Sequence, residues 1–378
     1  MLAAGGTGGH LFPALALAQE LGRRGILVDL MTDTRGDRYG AGFPARQVHQ
    51  IPSATFAGRS PVAAARTAAT LLRGVWAAYR QLGHVSPRVV VGFGGYPSVP
   101  PLAAAVLRGI PTALHEQNAA LGRANRLLSR RVSAIATSFE TVHLLDPSLA
   151  AKVRLTGNPV RDAVIERAAA PYRASAQGET FRLLVFGGSQ GARFFSDAVP
   201  PALVALPDRL RQRLFVVQQC REEDLDRVRR AYAESGIRAE LAAFFTNLPE
   251  LMAASHLVIG RAGASSVAEL AVMGRPSILV PLPHALDNDQ LHNAKQLAKA
   301  GAAWCIEQKE LTTERLSALI AELMETGNEL ARAAVAAKSV GRADAASRLA
   351  DLVEELMHRR ASARPQREAA SVTSGPAR

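Results

Sequence analysis

Ala4-Gly5-Gly6-Thr7-Gly8-Gly9-His10 is the stretch whose reading decides the fold, together with the apolar run that follows it. Four glycines within five positions let a backbone turn tightly and approach a ligand with no Cβ in the way. Leu11, Leu15, Ala18 and Leu21 then fall on one stripe of a helix over 11–21. A glycine turn feeding a helix N-terminus offers unpaired N–H groups and a positive dipole end to an anion. His10 stands at the mouth of that turn and makes the loop chemically suggestive, although a tight strand-to-helix turn would need the same glycines.

Outward from this stretch the same unit recurs. Gly25 to Met31 reads as a strand, and Thr32 to Gly40 as a polar loop. Arg88 to Gly92 is a buried-type strand that runs into Phe93-Gly94-Gly95-Tyr96-Pro97-Ser98 and an apolar helix over 99–107. Ile110 to Leu114 is another strand and delivers His115-Glu116-Gln117-Asn118 at its carboxyl end, the edge where open parallel sheets bind ligands. Strands at 134–136 and 153–155 precede Thr156-Gly157-Asn158-Pro159-Val160-Arg161. After an Ala-rich linker at 168–179, Phe181 to Phe186 meets Gly187-Gly188-Ser189-Gln190-Gly191-Ala192, which repeats the opening design. Leu257 to Gly260 ends in Arg261-Ala262-Gly263-Ala264-Ser265-Ser266, with Glu269 about one turn inside the next helix. Pro283 to Asn293 reads as a polar loop, and 312–358 as helical.

Two such halves predict an α/β chain of two doubly wound, Rossmann-like domains facing each other across a cleft. The expected domains are 1–162 and 163–358, with the last helices free to pack back on the first domain. The Arg-, Ser-, Ala- and Pro-rich tail at 359–378 is expected to be disordered. The dinucleotide fingerprint is absent: neither GxGxxG nor its acidic partner some twenty residues on is matched, which disfavours a nicotinamide dehydrogenase.

Charge separates the halves. Of a net +12, residues 1–160 hold 17 Lys and Arg against 7 Asp and Glu, and the remainder 28 against 26. A basic first half calls for nucleic acid, an anionic membrane surface or an acidic substrate. The arginines are scattered and no nucleic-acid-binding motif occurs, so nucleic acid is the least favoured partner. A long helix over 63–81 carries Leu71, Leu72, Val75, Trp76 and Tyr79, with Arg66, Arg73 and Arg80 every seven residues. It reads either as a core-packed helix with a solvated basic edge or as a membrane-surface helix. No apolar run is long enough to span a bilayer, so neither a membrane span nor a secretory leader is expected. Two distant cysteines, Cys220 and Cys305, exclude a disulfide framework and fit a reducing compartment. HExxH is not matched at 115–118, so no zinc site is read there.

GGTGGHLFPALALA, GFGGYPS, LHEQN, GNPVR, GGSQGA, RAGASSVAEL and DQLHNA, in this order, resemble the MurG family of peptidoglycan glycosyltransferases over roughly residues 3–355. The resemblance implies a B-type glycosyltransferase fold, a UDP-N-acetylglucosamine donor and an undecaprenyl-diphosphate-linked muramyl-pentapeptide acceptor. It also implies inverting chemistry at the cytoplasmic face of the bacterial inner membrane, with the protein peripheral to an anionic surface and other cell-wall synthesis proteins as further partners. By motif match Phe245 would meet the uracil, Glu269 the ribose, and Ser189 and Gln190 the diphosphate. Ala264, Ser265 and Ser266 would line the donor, and Gln290 and Asn293 would reach sugar hydroxyls. Thr7, Gly8, Gly9 and Asn118 would close over the sugar, and Arg161 would lie near the phosphates. Attack by the acceptor hydroxyl needs a base near the first glycine loop, and His10 is the first candidate, then His115, then Glu116. No DxD-like pair precedes a strand end in the right context, so neither a metal nor another cofactor is expected. Two departures from the family pattern are Val216 to Glu222, where a His-Gln pair is usual, and Asp289, where a second Gln is common. Rival readings are an epimerase or glycolipid synthase using the same donor, and a non-catalytic sugar-nucleotide-binding subunit.

Overall fold

A computed structural model describes residues 1–5, 8–33, 42–54 and 60–372, the side chains of 189–192, 286 and 360–372 excepted. The chain forms two compact units, Met1–Arg161 with Asp344–Arg378, and Asp162–Ala343.

In the first unit seven described strands make one parallel sheet in the order β3-β2-β1-β4-β5-β6-β7. They are β1 (Leu2–Ala3), β2 (Asp29–Thr32), β3 (Gln47–Gln50), β4 (Val90–Gly92), β5 (Thr112–Glu116), β6 (Ala134–Thr137) and β7 (Val153–Leu155). Alternation along the strands divides the core into two faces. Leu30, Val91, Ala113, Ala134 and Ala136 pack with Leu11, Leu17 and Leu21 of helix Gly8–Arg23 and with Leu349, Leu352, Val353 and Leu356. Met31, Val90, Leu114 and Ile135 pack on the other face with Ala78, Leu82 and Leu102. β1 is only two residues long, yet it is paired on both sides, to Leu30 and Met31 and to Val91 and Gly92. Central pairing therefore holds a strand that propensity alone would not.

In the second unit six described strands form another parallel sheet, β10-β9-β8-β11-β12-β13. These are β8 (Phe181–Phe186), β9 (Leu214–Gln219), β10 (Arg238–Ala242), β11 (Leu257–Gly260), β12 (Ser277–Leu279) and β13 (Ala303–Cys305). Their inward faces share one core with Phe195, Leu203, Tyr232, Ile320 and Leu323. In each sheet the strand order reverses at one place, between β1 and β4 and between β8 and β11, where parallel sheets open a crevice at the carboxyl edge.

Two expectations change. The polar stretch 283–293 is not a loop throughout, because Asp289–Lys299 is a helix. The backbone from Ala345 stays helical to Val372, past Arg359 where the composition ends the ordered chain. Most of the expected loop at 32–40 lies outside the described residues.

Candidate active site

In the first unit the site starts at the carboxyl ends of β1, β4 and β5. Gly5 follows β1 at a point where a Cβ would lie 2.8 Å from Asp33 Oδ1 and 2.9 Å from Thr32 Oγ1. A side chain there would displace Thr32, Asp33 and Pro97, and glycine leaves them in place. Helix Gly8–Arg23 begins directly after it, so Gly8, Gly9 and His10 form its first turn. Thr7 lies outside the described residues. After β4, Gly94 and Gly95 both have positive φ, 80° and 68°. The His10 ring lies against this turn, since a Cβ on Gly95 would come within 3.2 Å of its Cδ2 and Nε2. A left-handed glycine pair is thus the floor under the imidazole.

β5 extends two residues further than its apolar run, so His115 and Glu116 lie in the strand and point to opposite faces. Both are buried, at 0% and 1% exposure. His115 Nε2 is 2.9 Å from the Gly157 carbonyl, and its Nδ1 is 2.9 Å from Gln117 Nε2. Gln117 Oε1 in turn lies 3.2 Å from His10 Nδ1. Glu116 accepts from the Asn118 and Gly122 backbone N–H groups at 3.0 and 2.9 Å and from Asn125 Nδ2 at 2.8 Å. Its carboxylate closes the 116–125 loop, while burial pushes its pKa up. As second and third candidates for the base, His115 and Glu116 are thus already committed to internal hydrogen bonds.

Burial lowers the His115 pKa from 6.5 to about 4. The unfolded chain then binds more protons than the native one between those values, so stability rises with pH across that window. It is complete above about 6.5 and is lost progressively as pH falls toward about 4. His115→Gln is expected to flatten the dependence of Tm on pH in this range, measured against the wild-type chain. An equal slope in both proteins would contradict the assignment.

The GNPVR segment closes this face. Arg161 stacks over the Phe12 ring at 4.7 Å, which joins it to the first helix. Asn158 is buried, and neither atom of its side-chain amide finds a hydrogen-bond partner among the described residues. The sequence reading passed over Asn158, although a buried, unsatisfied amide beside a glycine turn calls for an explanation.

In the second unit two helix N-termini stand at the switch point. Helix Gly188–Val204 follows β8 and places Ser189 and Gln190 in its first turn. Helix Ala264–Met273 follows β11, with Ala264, Ser265 and Ser266 leading it and Glu269 buried within it. Ser265 Oγ is buried and has no hydrogen-bond partner among the described residues. Asn293, fully buried on helix Asp289–Lys299, donates to the Ala262 carbonyl at 3.0 Å and ties down the preceding turn. Gln290 Oε1 accepts from the Leu282 N–H at 3.0 Å. Phe245 is half-buried just past β10, next to an exposed Phe244.

Arg261 is a residue the sequence reading quoted but did not assign. Among the described residues it is buried without a carboxylate, donating to the Val280 and Pro281 carbonyls and to Gln308 Oε1, with its guanidinium over Phe194 and Phe195. Desolvation lowers its pKa to about 10. It braces the turn that carries the 264–273 helix.

Residues 1–137 match the glycosyltransferase family 28 N-terminal domain, and residues 182–349 the family 28 C-terminal domain. The UDP-N-acetylglucosamine--N-acetylmuramyl-(pentapeptide) pyrophosphoryl-undecaprenol N-acetylglucosamine transferase of Mesorhizobium japonicum is 54% identical over 357 residues, 94% of each chain. The chain belongs to the MurG glycosyltransferases. The Rhodopseudomonas palustris enzyme of the same name is 52% identical over 353 residues, 93% of this chain and 96% of its own. The crystal structure of Acinetobacter baumannii MurG superposes with a TM-score of 0.76 at 29% identity, covering 94% of this chain and 98% of that one. A Neisseria meningitidis UDP-GlcNAc 2-epimerase bound to UDP-GlcNAc has a TM-score of 0.66 at 14% identity and covers 95% of this chain and 99% of its own; it shares the fold alone. The MurG glycosyltransferases thus supply the family of this two-sheet architecture, and membership makes the chain an N-acetylglucosaminyltransferase.

Proposed function

We propose that the chain transfers N-acetylglucosamine from UDP-N-acetylglucosamine to the 4-hydroxyl of undecaprenyl-pyrophosphoryl-N-acetylmuramyl-pentapeptide, inverting the anomeric centre. The observation that carries this reading is near full-length identity of 50–54% to enzymes named for that transfer. An epimerase reading has only 14–15% identity behind it.

Within the second unit, the amides of the 188–204 and 264–273 helix N-termini take the diphosphate, where dipole and N–H groups favour negative charge. Ser189, Gln190, Ala264, Ser265 and Ser266 line that part of the donor. The unpartnered Ser265 hydroxyl supports this, because a ligand oxygen satisfies it. Glu269 accepts from the ribose hydroxyls, and Phe245 meets the uracil. Gln290, its oxygen committed to Leu282, offers amide N–H groups to the sugar, and Asn293 sets the turn beneath it. Within the first unit, Thr7, Gly8, Gly9 and Asn118 are assigned to the sugar and Arg161 to the phosphates.

In the reaction the acceptor oxygen forms a bond to the anomeric carbon as the bond to UDP breaks. The electron pair departs with the diphosphate, and the hydroxyl proton passes to His10. Helix amides aimed at the leaving group stabilise its charge where it develops. The test is UDP release from the purified protein given UDP-N-acetylglucosamine, with and without a lipid-linked muramyl-pentapeptide. Acceptor-dependent release is expected; release at the same rate without acceptor would overturn the transferase reading.

Helix Pro61–Val85 is assigned to an anionic membrane surface at the cytoplasmic face, with the protein held peripherally. No described helix is long and apolar enough to cross a membrane. Gly74, Ala78 and Leu82 bury one face of this helix, while Val62, Leu72 and Trp76 are 62–70% exposed. Arg66, Arg73 and Arg80 flank them, also exposed, with Arg80 over the Trp76 ring at 4.9 Å. Exposed apolar side chains beside cations suit the headgroup boundary. Trp76→Ala with Leu72→Ala is expected to cut binding to vesicles rich in anionic lipid by about tenfold or more, from roughly 1.5–3 kcal/mol per large side chain withdrawn from the lipid. Equal sedimentation of both proteins with the vesicles would contradict it.

A further inference from the structure

A chain of hydrogen bonds runs from a backbone carbonyl to the His10 ring, and each link has only one workable polarity. It starts at the Gly157 carbonyl, which can only accept. His115 Nε2 lies 2.9 Å away and must therefore carry its proton. In a neutral ring that leaves Nδ1 as the acceptor. Gln117 Nε2, 2.9 Å from that nitrogen and 3.0 Å from the His115 carbonyl, donates to both. The Gln117 oxygen is thereby turned to His10 Nδ1 at 3.2 Å, where it needs a proton to accept.

The reverse order fails at two points. A flipped Gln117 amide would set its oxygen 3.0 Å from the His115 carbonyl oxygen, acceptor against acceptor. It would also require the His115 proton on Nδ1 and leave the Nε2 lone pair facing the Gly157 carbonyl. Protonating His115 would relieve the second conflict, but the ring is fully buried and Gln117 is 2% exposed, so the charged form is disfavoured. Asn125 Nδ2, 3.3 Å from the His115 carbonyl, and the Phe93 ring, 5.6 Å from the His115 ring, hold the relay from its other sides.

We propose that Gln117 and His115 are positioning residues that fix the tautomer of His10, placing its proton on Nδ1 and its lone pair on Nε2 for the acceptor hydroxyl. The inference rests on the reading of His10 as the base. A neutral histidine left to itself favours the proton on Nε2, so the relay reverses the intrinsic preference and presents the basic nitrogen. When Nε2 takes the acceptor proton, Nδ1–H stays bonded to the Gln117 oxygen, so the ring does not rotate as its charge changes.

The experiment combines ring-nitrogen NMR with kinetics. Two-bond 15N–1H correlations of the full-length protein at neutral pH are expected to report Nδ1–H for His10 and Nε2–H for His115. Gln117→Met removes both polar atoms at similar size; His10 is then expected to shift toward Nε2–H, and kcat to fall on the order of 10²-fold. KM for UDP-N-acetylglucosamine should stay within about twofold, since the uniform binding of the donor is untouched. Gln117→Glu keeps an acceptor for Nδ1–H but turns its other oxygen on the His115 carbonyl, acceptor against acceptor, so it should recover little of that loss. An Nε2–H tautomer on His10 in the wild-type protein overturns the proposal, whether or not Gln117→Met folds. So does a Gln117→Met protein with unchanged kcat. Full turnover in His10→Ala would instead remove the base assignment and leave the tautomer reading standing.

Discussion

Replacing His10 by alanine lowers kcat for acceptor-dependent UDP release by about 10²- to 10⁴-fold, the range a positioned general base supplies. A sugar hydroxyl is a poor nucleophile until its proton leaves, so the step that fails is bond formation to the anomeric carbon. Donor affinity is expected to be unchanged, because His10 belongs to the first unit and every nucleotide contact proposed here except Arg161 lies in the second. Equilibrium binding of UDP-N-acetylglucosamine to His10→Ala checks that half of the prediction. Stability should also hold. His10 is only half-buried on the first turn of its helix and packs on a glycine turn, so its removal takes away no apolar core contact, and water entering beside the Gln117 oxygen replaces the one hydrogen bond lost. A variant that keeps its melting temperature and donor affinity while losing turnover assigns the loss to proton transfer. Wild-type turnover in His10→Ala would leave the base unassigned, because His115 and Glu116 are closed off by their own hydrogen bonds.

Much of this frame was legible in the sequence where short apolar runs end in glycine. Val90–Gly92, Phe181–Phe186 and Leu257–Gly260 are strands for that reason, each delivering a turn at the carboxyl edge. Polarity misled where buried polar groups replace apolar ones. Helix Asp289–Lys299 buries Asn293 together with Ala294 and Leu297, so its inner stripe breaks the apolar period and reads as a loop. β5 reaches into His115 and Glu116 because loop amides and a carbonyl satisfy both side chains away from water. The relay itself leaves no local signal. His10 and Gln117 lie 107 positions apart, and only the β1-β4-β5 order brings their loops together. Arg261 was missed similarly, since carbonyl partners and aromatic faces have no sequence spacing.

Ending the chain after Ala343 is expected to abolish cooperative folding of the first unit, whereas ending it at Arg359 should leave the melting temperature unchanged. Helix Ala345–Val372 belongs to the first unit although it follows the whole of the second. Leu349, Leu352, Val353 and Leu356 enter the core formed by Leu11, Leu17 and Leu21 of the first helix. Burial of a large aliphatic side chain contributes about 1.5–3 kcal/mol, so these four supply roughly 6–12 kcal/mol. A domain's whole stability is about 5–15 kcal/mol, and losing this helix also exposes the apolar face it covers. Arg24, at the end of the first helix, marks the docking geometry. Its guanidinium reaches Asp351 at 2.6 Å, Glu354 at 3.2 Å and the Ser347 carbonyl at 3.1 Å. All these contacts precede Arg359, so the longer truncation product retains them. Thermal unfolding of the two products, with full-length protein alongside, tests the prediction; a 1–343 chain melting with the full-length profile would refute it. The consequence reaches the chemistry. The helix that the carboxy-terminal segment braces is the one whose first turn carries His10, so losing the brace removes the base from its glycine floor and from Gln117 together.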